Sequence, residues 1–205
     1  MKWYAAICIF LTIACVSDQP VAVQKRITPA IPPVGITAND PALKLLNGFW
    51  YYADTLFSGH VHAFHENGNM QRMQSYFKGK EEGLLVTWFP TGQKESERYF
   101  AEGEKEAVHK GWWENGQQRF EYHFSKGQYD GNFREWSVNG MLAKHIEYKD
   151  GKEIRGKAWR ENGKVYMSFE MRGSRRYGLM NAKPCYTLRN EKGEYIEMAP
   201  NKSPL

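Results

Sequence analysis

The sequence has few cysteines, no apolar run of membrane-spanning length and no strong excess of either charge. Three cysteines occur, and two of them, Cys8 and Cys15, lie in the N-terminal segment described below, so Cys185 is left without an internal disulfide partner. The uncharged stretch at residues 3–14 is too short to cross a bilayer as a permanent helix. Lys and Arg number 28 against 23 Asp and Glu, and the two signs are interleaved, which argues against a nucleic-acid partner.

The residue combinations that carry catalysis are also missing. No nucleophile stands out with a base of its own, and the glycines fall at turns and not in a phosphate-binding loop. Neighbouring carboxylates such as Glu81 and Glu82, or Glu95 and Glu97, are more typical of solvated strands than of an acid–base pair. We therefore expect a protein that is not an enzyme and that holds no cofactor.

The first 15 residues have the features of an export signal. Lys2 precedes the short apolar stretch, and Cys15 follows the small residue Ala14. The stretch from Leu11 to Cys15 resembles a bacterial lipoprotein cleavage site, which implies lipidation of Cys15 and a membrane-anchored envelope protein. A plain secretory leader, giving a periplasmic or secreted protein, is the alternative.

Residues 16–39 are predicted to be an extended, mobile tether. Pro20, Pro29, Pro32 and Pro33 fall within this stretch, and few large apolar residues separate them. Such a segment buries too little surface to offset the entropy lost on ordering.

A repeat of 24 residues dominates the rest of the chain. It places glycine at corresponding positions: Gly68, Gly92, Gly116, Gly140 and, one residue early, Gly163. A second set (Gly79, Gly103, Gly127, Gly151) keeps the same spacing. Self-similarity at this period predicts a repeat protein in which each unit packs on the next.

Each unit contains two alternating apolar and polar segments joined at a turn such as Glu114-Asn115-Gly116, which is a strong hairpin signal. We therefore predict an all-β fold, an extended antiparallel meander of about five hairpins over residues 40–178. Three-residue loops ending in a left-handed glycine fit the side chains better than two-residue loops, because they place Trp136 on one face with Leu142, Ile146 and Tyr148.

This register predicts a buried aromatic ladder. One side of it consists of the residues four before each turn glycine: Phe64, Trp88, Trp112, Trp136 and Trp159. The other side consists of the residues eight after it: Tyr76, Phe100, Phe124, Tyr148 and Met171. We interpret these rings as core packing and not as a ligand platform.

The ends of the array depart from the repeat. Residues 49–52 look like a capping half-unit, which residues 41–47 could extend by a helical turn. Residues 179–205 form a C-terminal cap segment, in which Tyr186–Leu188 and Tyr195–Met198 are predicted to pair as a hairpin over the last open strand.

The spacing from Gly83 through Trp88 to Gly92 resembles the MORN-repeat variant of bacterial proteins, and residues 47–59 resemble the opening repeat of YwqK-type antitoxins. Ala107 departs from the pattern, since glycine is expected there. The resemblance implies a β-meander that binds a partner and supplies no catalytic residues.

Two groups of residues have side chains of the types that bind metals. His60, His62 and His65 are close in sequence, but alternation on a strand sends His65 away from the other two. Met180 and Cys185 form a soft-ligand set that suits Cu(I). We predict no metal at the histidines and keep Met180 and Cys185 as low-ranked copper candidates.

Three functions remain after these exclusions. The first is a non-enzymatic binding or scaffolding surface for a protein partner at the cell envelope, with membrane attachment through the N-terminal lipid. The second is an antitoxin-like immunity protein that neutralises a partner toxin. The third is copper or thiol handling at the envelope through the Met180–Cys185 segment.

Overall fold

The computed structural model describes residues 28–179, 187–189 and 195–197, and these residues contain strands and turns but no helix. No helix in this part of the chain is long and apolar enough to cross a membrane. The strands are β1 (Gly35–Thr37), β2 (Leu43–Leu46), β3 (Phe49–Tyr52), β4 (Thr55–Leu56), β5 (Gly59–Phe64), β6 (Met70–Phe77), β7 (Lys80–Trp88), β8 (Lys94–Ala101), β9 (Glu104–Trp112), β10 (Gln118–Ser125), β11 (Gln128–Trp136), β12 (Leu142–Lys149), β13 (Lys152–Trp159), β14 (Val165–Arg172), β15 (Arg175–Leu179), β16 (Thr187–Arg189) and β17 (Tyr195–Glu197).

One sheet of twelve strands forms the body of the molecule, in the order β1 and then β5 to β15. Strands β5 to β15 pair with their sequence neighbours in antiparallel fashion, so the predicted all-β meander of hairpins is confirmed. Two small sheets accompany it: β2, β3 and β4 pair with one another, and so do β16 and β17.

The turns that carry the glycine repeat are three-residue loops, as predicted. In the first, Gly68 N donates to His65 O at 2.9 Å and His65 N donates to Asn69 O at 2.8 Å, which leaves Glu66, Asn67 and Gly68 as the loop. All five turn glycines have left-handed φ values between +76° and +85° (Gly68, Gly92, Gly116, Gly140, Gly163). Glycine is favoured there because a Cβ atom makes this backbone region costly.

The second set of turns, at the opposite edge of the sheet, has two-residue loops. In Lys78-Gly79 both residues have positive φ, +49° and +79°, and Phe77 pairs with Lys80 across the turn. The same geometry recurs at three later turns (Glu102-Gly103, Lys126-Gly127, Asp150-Gly151). Mirror-image turns of this kind match the twist of the flanking strands.

Hydrogen bonds between successive units tie the turns together along both edges. At the first edge, Asn67 Nδ2 donates to Pro90 O and Asn115 Nδ2 donates to Val138 O, both at 2.8 Å. At the second edge, the backbone N–H of Glu102 donates to Glu82 Oε2, also at 2.8 Å. Glu82 is therefore a buried acceptor that links two units, and the interpretation of this carboxylate as a solubilising edge charge was wrong.

Replacing Asn115 by alanine is expected to cost about 1–2 kcal/mol of unfolding free energy, because two hydrogen bonds are lost. One runs from Gln117 N to Asn115 Oδ1 at 3.1 Å, and the other is the bond to Val138 O in the next unit. Asn162 makes the first kind of bond, to Lys164 N, but within the described residues it has no bond to a further unit. Asn162→Ala should therefore cost roughly half as much in urea unfolding; equal costs would contradict a contribution from the link between units.

The predicted aromatic ladder is only half correct. Tyr76, Phe100 and Phe124 are buried, with 2%, 7% and 7% of their surface exposed, whereas Tyr148 and Met171 are only partly buried. In contrast, Phe64 is 51% exposed, the four tryptophans are only partly buried, and no ring contact joins these five residues. The prediction that Phe64, Trp88, Trp112, Trp136 and Trp159 form a stacked core row was therefore wrong.

A register shift that recurs in every unit explains this error. Trp136 pairs with Leu142 as expected, but the next pair is Glu135 with Lys144, so one residue of β12 is left over. The bulge moves Ile146 opposite Phe133, and successive strand residues point to opposite faces. The four tryptophans and Phe64 therefore lie on the face opposite Ile146. The core position is taken by the residue three places before each of them, which in β11 is Phe133.

The N-terminal end of the array is also more ordered than the sequence suggested. Gly35–Thr37, within the predicted tether, is strand β1 and pairs in parallel with β5. Leu43–Leu46 is strand β2, so the expected helical turn at residues 41–47 was wrong. The half-unit Phe49–Tyr52 is strand β3, and its Trp50 ring lies 5.7 Å from that of Tyr76.

At the C-terminal end, Thr187–Arg189 pairs with Tyr195–Glu197, so two segments of the predicted hairpin do pair. They form a sheet of their own and are not hydrogen-bonded to β15. The capping of β15 by this hairpin stays a prediction.

A candidate binding groove on the core face

One face of the large sheet, here called the core face, carries most of the buried apolar side chains. They gather in two clusters. The first consists of Phe57, Val61 and Tyr76 near the N-terminal end of the sheet. The second consists of Phe133, Ile146 and Phe169 toward the C-terminal end. The strand pairing places the residues between the clusters on the same face, so a continuous apolar row would be expected there.

Polar and cationic residues interrupt that row. Equivalent core-face positions of successive units hold Gln74, Arg98, Tyr122, Ile146 and Phe169 in one column. In a second column they hold Val61, Leu85, His109, Phe133 and Gly156. The second and third units therefore carry Arg98 and His109 where the later units have aromatic, aliphatic or glycine residues. Lys105 adds a further cation opposite Phe100.

At this interruption the core face forms an open groove of about 500 Å³. Aromatic rings make most of its floor, and three cations, one histidine and one carboxylate complete it. The lining residues are Arg98, Lys105, His109, Trp113, Arg119, Phe120, Tyr122, Phe124, Tyr129, Glu135, Trp136 and Ala143. The groove therefore offers flat apolar surfaces beside positive charge.

Each cation lies over an aromatic ring of the groove. The Arg119 guanidinium carbon is 4.8 Å from the centre of the Trp113 ring. Lys105 Nζ is 5.2 Å from the centre of Phe124, and the Arg98 guanidinium carbon is 5.8 Å from the centre of Phe120. Cation–π attraction holds charged groups at such distances without neutralising them. Among the described residues, none of the three cations forms an ion pair with a carboxylate.

Backbone irregularities place two of these cations. Arg98 lies at a register shift between β8 and β9, where it is the single β8 residue facing three residues of β9 (107–109) between the pairs Glu97–Lys110 and Tyr99–Glu106. Arg119 is the extra residue between Gln118 and Phe120, where β10 shifts against β9. A bulge leaves one residue out of the pairing and redirects its side chain. Both arginines are exposed, so their guanidinium groups are accessible from the groove.

His109 lines the groove and is 2% exposed. Its Nε2 bonds to Tyr99 O at 2.8 Å, and its ring lies 4.6 Å from Phe124 and 5.5 Å from Phe100. Burial lowers the pKa of His109, and the positive charges of Arg98 and Lys105 lower it further. The imidazole is therefore neutral at pH 7, and its Nε2 donates a hydrogen bond to the backbone carbonyl of Tyr99.

The lowered pKa of His109 predicts a loss of stability in mild acid. Because the unfolded chain binds the proton more readily, this contribution is complete above about pH 6.5 and declines as the pH falls below it. The decline is at most about 1.4 kcal/mol per pH unit. Urea unfolding at pH 7.5 and 5.5 should give a smaller difference for His109→Leu than for the parent. His60 and His145 also have lowered pKa values from burial, so some pH dependence remains; an unchanged difference would contradict the role of His109.

The far wall of the groove holds its one carboxylate, Glu135. Tyr122 donates its hydroxyl to Glu135 Oε1 at 2.7 Å, and Lys144 Nζ lies 3.9 Å from Glu135 Oε2. Burial, followed by this hydrogen bond, raises the pKa of Tyr122, so the tyrosine stays protonated at neutral pH. Glu135 is thus engaged within the wall, and the charge left for a ligand is positive.

A second cavity, of about 620 Å³, has a different character. Its charged lining residues are mixed in sign and include Glu147, Arg155, Lys157 and Glu170. Arg155 is 2.8 Å from Glu147, so charges here are neutralised within the protein. The contrast singles out the core-face groove as the better candidate for binding a ligand.

The structure separates the three N-terminal histidines by their partners. The rings of His60 and His62 lie 6.4 Å apart, as expected for residues on one face of a strand. His60 Nδ1 is 3.0 Å from Ser75 Oγ, and His65 Nε2 donates to Trp88 O at 2.8 Å. Within the described ranges no three His, Cys, Asp or Glu residues are grouped as a metal site. Cys15, Met180 and Cys185 lie outside the described residues.

Reasoning from the sequence missed the groove. The prediction treated the aromatic residues as one core row and gave no role to Arg98, Lys105, His109 or Arg119. A column-by-column comparison of the 24-residue units contains the signal, because Arg98 and His109 differ in type from their counterparts. Comparison with models of known protein families and with curated proteins finds no match for this chain.

Proposed function

We propose that the protein is a non-enzymatic binding or scaffolding protein of the bacterial cell envelope, built from MORN-like repeats of the YwqK type. The observation that supports this most directly is the core-face groove, where Arg98, Lys105 and Arg119 stand over aromatic rings without a carboxylate partner among the described residues. Cations placed in this way favour binding of a complementary surface.

The shape of the site favours a macromolecular partner over a small substrate. The groove is open to solvent and lies on a single extended sheet, whereas sites for small molecules bury most of the ligand. Its partly exposed rings, Trp113 and Tyr122, are residue types that contribute strongly at protein interfaces. A protein partner could follow the strands beyond the groove in either direction.

Attachment to the membrane through a lipid on Cys15 belongs to the same proposal. It rests on the sequence from Leu11 to Cys15 and on the apolar stretch before it. Metabolic labelling with a radioactive or alkyne-bearing fatty acid tests it directly. The full-length protein should incorporate label and sediment with membranes, and Cys15→Ser should do neither.

The binding role is tested by crosslinking in intact cells and purification of the full-length protein from membranes. A specific envelope protein should be recovered, and its yield should fall when groove residues are changed. Failure to recover any specific protein after efficient crosslinking would overturn the proposal. Recovery of a protein that becomes toxic when this chain is deleted would instead identify an immunity protein.

A further inference from the structure

We propose that the groove binds an acidic peptide segment of the partner protein. Asp or Glu side chains of this segment would contact Arg98, Lys105 and Arg119, and an apolar side chain would lie on the rings of Phe120 and Tyr122 between them. The inference rests on the proposed binding function and specifies the chemistry of the partner.

The charge distribution is the first argument. Arg98 occupies a core-face column that holds the packed apolar residues Ile146 and Phe169 in later units, so an arginine there gives up apolar packing. Guanidinium groups match carboxylates in planar, two-point geometry, and their position over Phe120 and Trp113 holds them in place before a ligand arrives. An acidic ligand would supply carboxylates to these three cations, since the groove's own carboxylate, Glu135, is engaged by Tyr122 and Lys144.

The remainder of this chain does not supply a complementary segment. Residues 16–27 contain Asp18, Lys25 and Arg26 as their charged residues, and are basic on balance. Residues 180–205 contain Glu191, Glu194 and Glu197 against Lys183, Arg189, Lys192 and Lys202. A second copy would approach with the net charge of +5 that the whole chain carries. The acidic segment therefore belongs to another protein.

The turns beside the groove argue for a peptide and against an anionic bilayer. Trp113 lies at the first-turn edge of the sheet, and that edge carries exposed Glu66, Glu114 and Glu161. A flat anionic surface laid across the groove would bring its charges close to these carboxylates as well as to the cations. A peptide strand is narrow enough to enter the groove past these turns.

The direct test measures binding of a labelled peptide, Gly-Asp-Glu-Phe-Asp-Glu-Leu-Gly-Gly, to the full-length protein in detergent by fluorescence anisotropy. A matched peptide has Asn and Gln in place of Asp and Glu. We expect the acidic peptide to bind at least about tenfold more tightly than its amide counterpart, and its affinity to fall with added salt. Equal affinities, or no saturable binding below about 1 mM, would overturn the inference.

Two triple variants with the same loss of charge locate the site. The groove variant is Arg98→Gln, Lys105→Gln, Arg119→Gln. The control is Lys110→Gln, Lys157→Gln, Lys164→Gln, which changes exposed lysines away from the groove. The groove variant should weaken peptide binding about tenfold or more, and the control less than about twofold. Similar losses in both would indicate binding through net charge alone and would overturn the assignment.

Three further measurements separate the possible outcomes. Thermal unfolding of both triple variants shows whether the sheet is intact, and single substitutions replace the triple one if it is not. Flotation with phosphatidylglycerol vesicles should give no loss of binding specific to the groove variant; such a loss without peptide binding would point to lipid and overturn the peptide assignment. If the groove variant still captures the envelope partner in cells, the acidic-peptide inference fails while the proposed binding function stands.

Discussion

Gly111→Ala is expected to lower the unfolding free energy by about 2–3 kcal/mol, although it adds a single methyl group. A Cβ atom at Gly111 would lie 2.5 Å from Cζ and 2.7 Å from Cδ1 of Phe120, which are distances that real contacts do not reach. Phe120 is 9% exposed, and it also lies under the Arg98 guanidinium group. The ring must therefore move, and the groove floor moves with it.

Gly116→Ala is the matched control for this prediction. Its Cβ atom would meet nothing within 4 Å, so its cost of about 1 kcal/mol comes from the left-handed backbone alone. A double variant, Gly111→Ala with Phe120→Leu, should be less destabilised than the sum of the two single variants. Chemical unfolding monitored by tryptophan fluorescence measures the stability of the parent and of the four variants. Additive costs in the double variant would contradict a clash between Gly111 and Phe120.

Tyr76→Ala is expected to cost about 3–5 kcal/mol, the largest effect of any single side-chain truncation that we predict. Tyr76 is 2% exposed, and its ring lies 5.7 Å from Trp50 and 6.1 Å from Phe57. Trp50 belongs to the small sheet of β2, β3 and β4, so Tyr76 joins this sheet to the large one. Its loss should loosen the N-terminal end before the later units unfold.

Two substitutions control for this effect. Tyr177 is 46% exposed on the last described strand of the large sheet, so Tyr177→Ala should cost less than about 1 kcal/mol. Tyr76→Phe keeps the ring and should recover most of the stability. Hydrogen exchange should show Tyr76→Ala exposing amides of residues 43–56 more than those of residues 118–149; uniform loss of protection along the sheet would contradict local loosening.

The turns were the part of the fold most readily predicted, because their chemistry is local. Asn before glycine favours a left-handed glycine preceded by an Asx turn, and four of the five turns have it. Thr91-Gly92 forms the same three-residue loop without an Asx turn. The turn glycine itself repeats five times, and this repetition predicts the number and order of the hairpins. The burial of Tyr76, Phe100 and Phe124 followed from the same periodicity.

The position of the tryptophan column could not be predicted in this way. It depends on a bulge after the loop, which leaves out one residue between Leu142 and Lys144 and has no distinctive residue type at that place. The residue of β11 that faces Ile146 is therefore Phe133 and not Trp136, three residues later, although the loop itself was predicted correctly. Periodicity shows which positions are equivalent in successive units, but it does not show which of two faces each position occupies.

The groove was hidden for a related reason. Its cations come from three different strands, and Arg98 and Arg119 are both at bulges whose register the sequence does not disclose. Lys105 and His109 are four residues apart on β9, and their position on one face can be inferred only when the bounds of that strand are known. The periodicity of the sequence comes from the residues that repeat in every unit, whereas the groove is formed by residues that occur in only one or two units.

If Cys15 carries the proposed lipid, the parallel pairing of β1 with β5 limits how far the body of the protein can stand from the membrane. Ile31 lies near Gly83, where an added Cβ would be 3.2 Å from it, so the chain is already in contact with the sheet by that residue. Cys15 and Ile31 are separated by 16 peptide links, which cannot span more than about 58 Å. If Cys15 is lipidated, the groove cannot lie farther from the bilayer than this length plus the width of the sheet. A partner must then present its acidic segment within the same range, which favours membrane proteins and proteins held close to the membrane over freely diffusing ones.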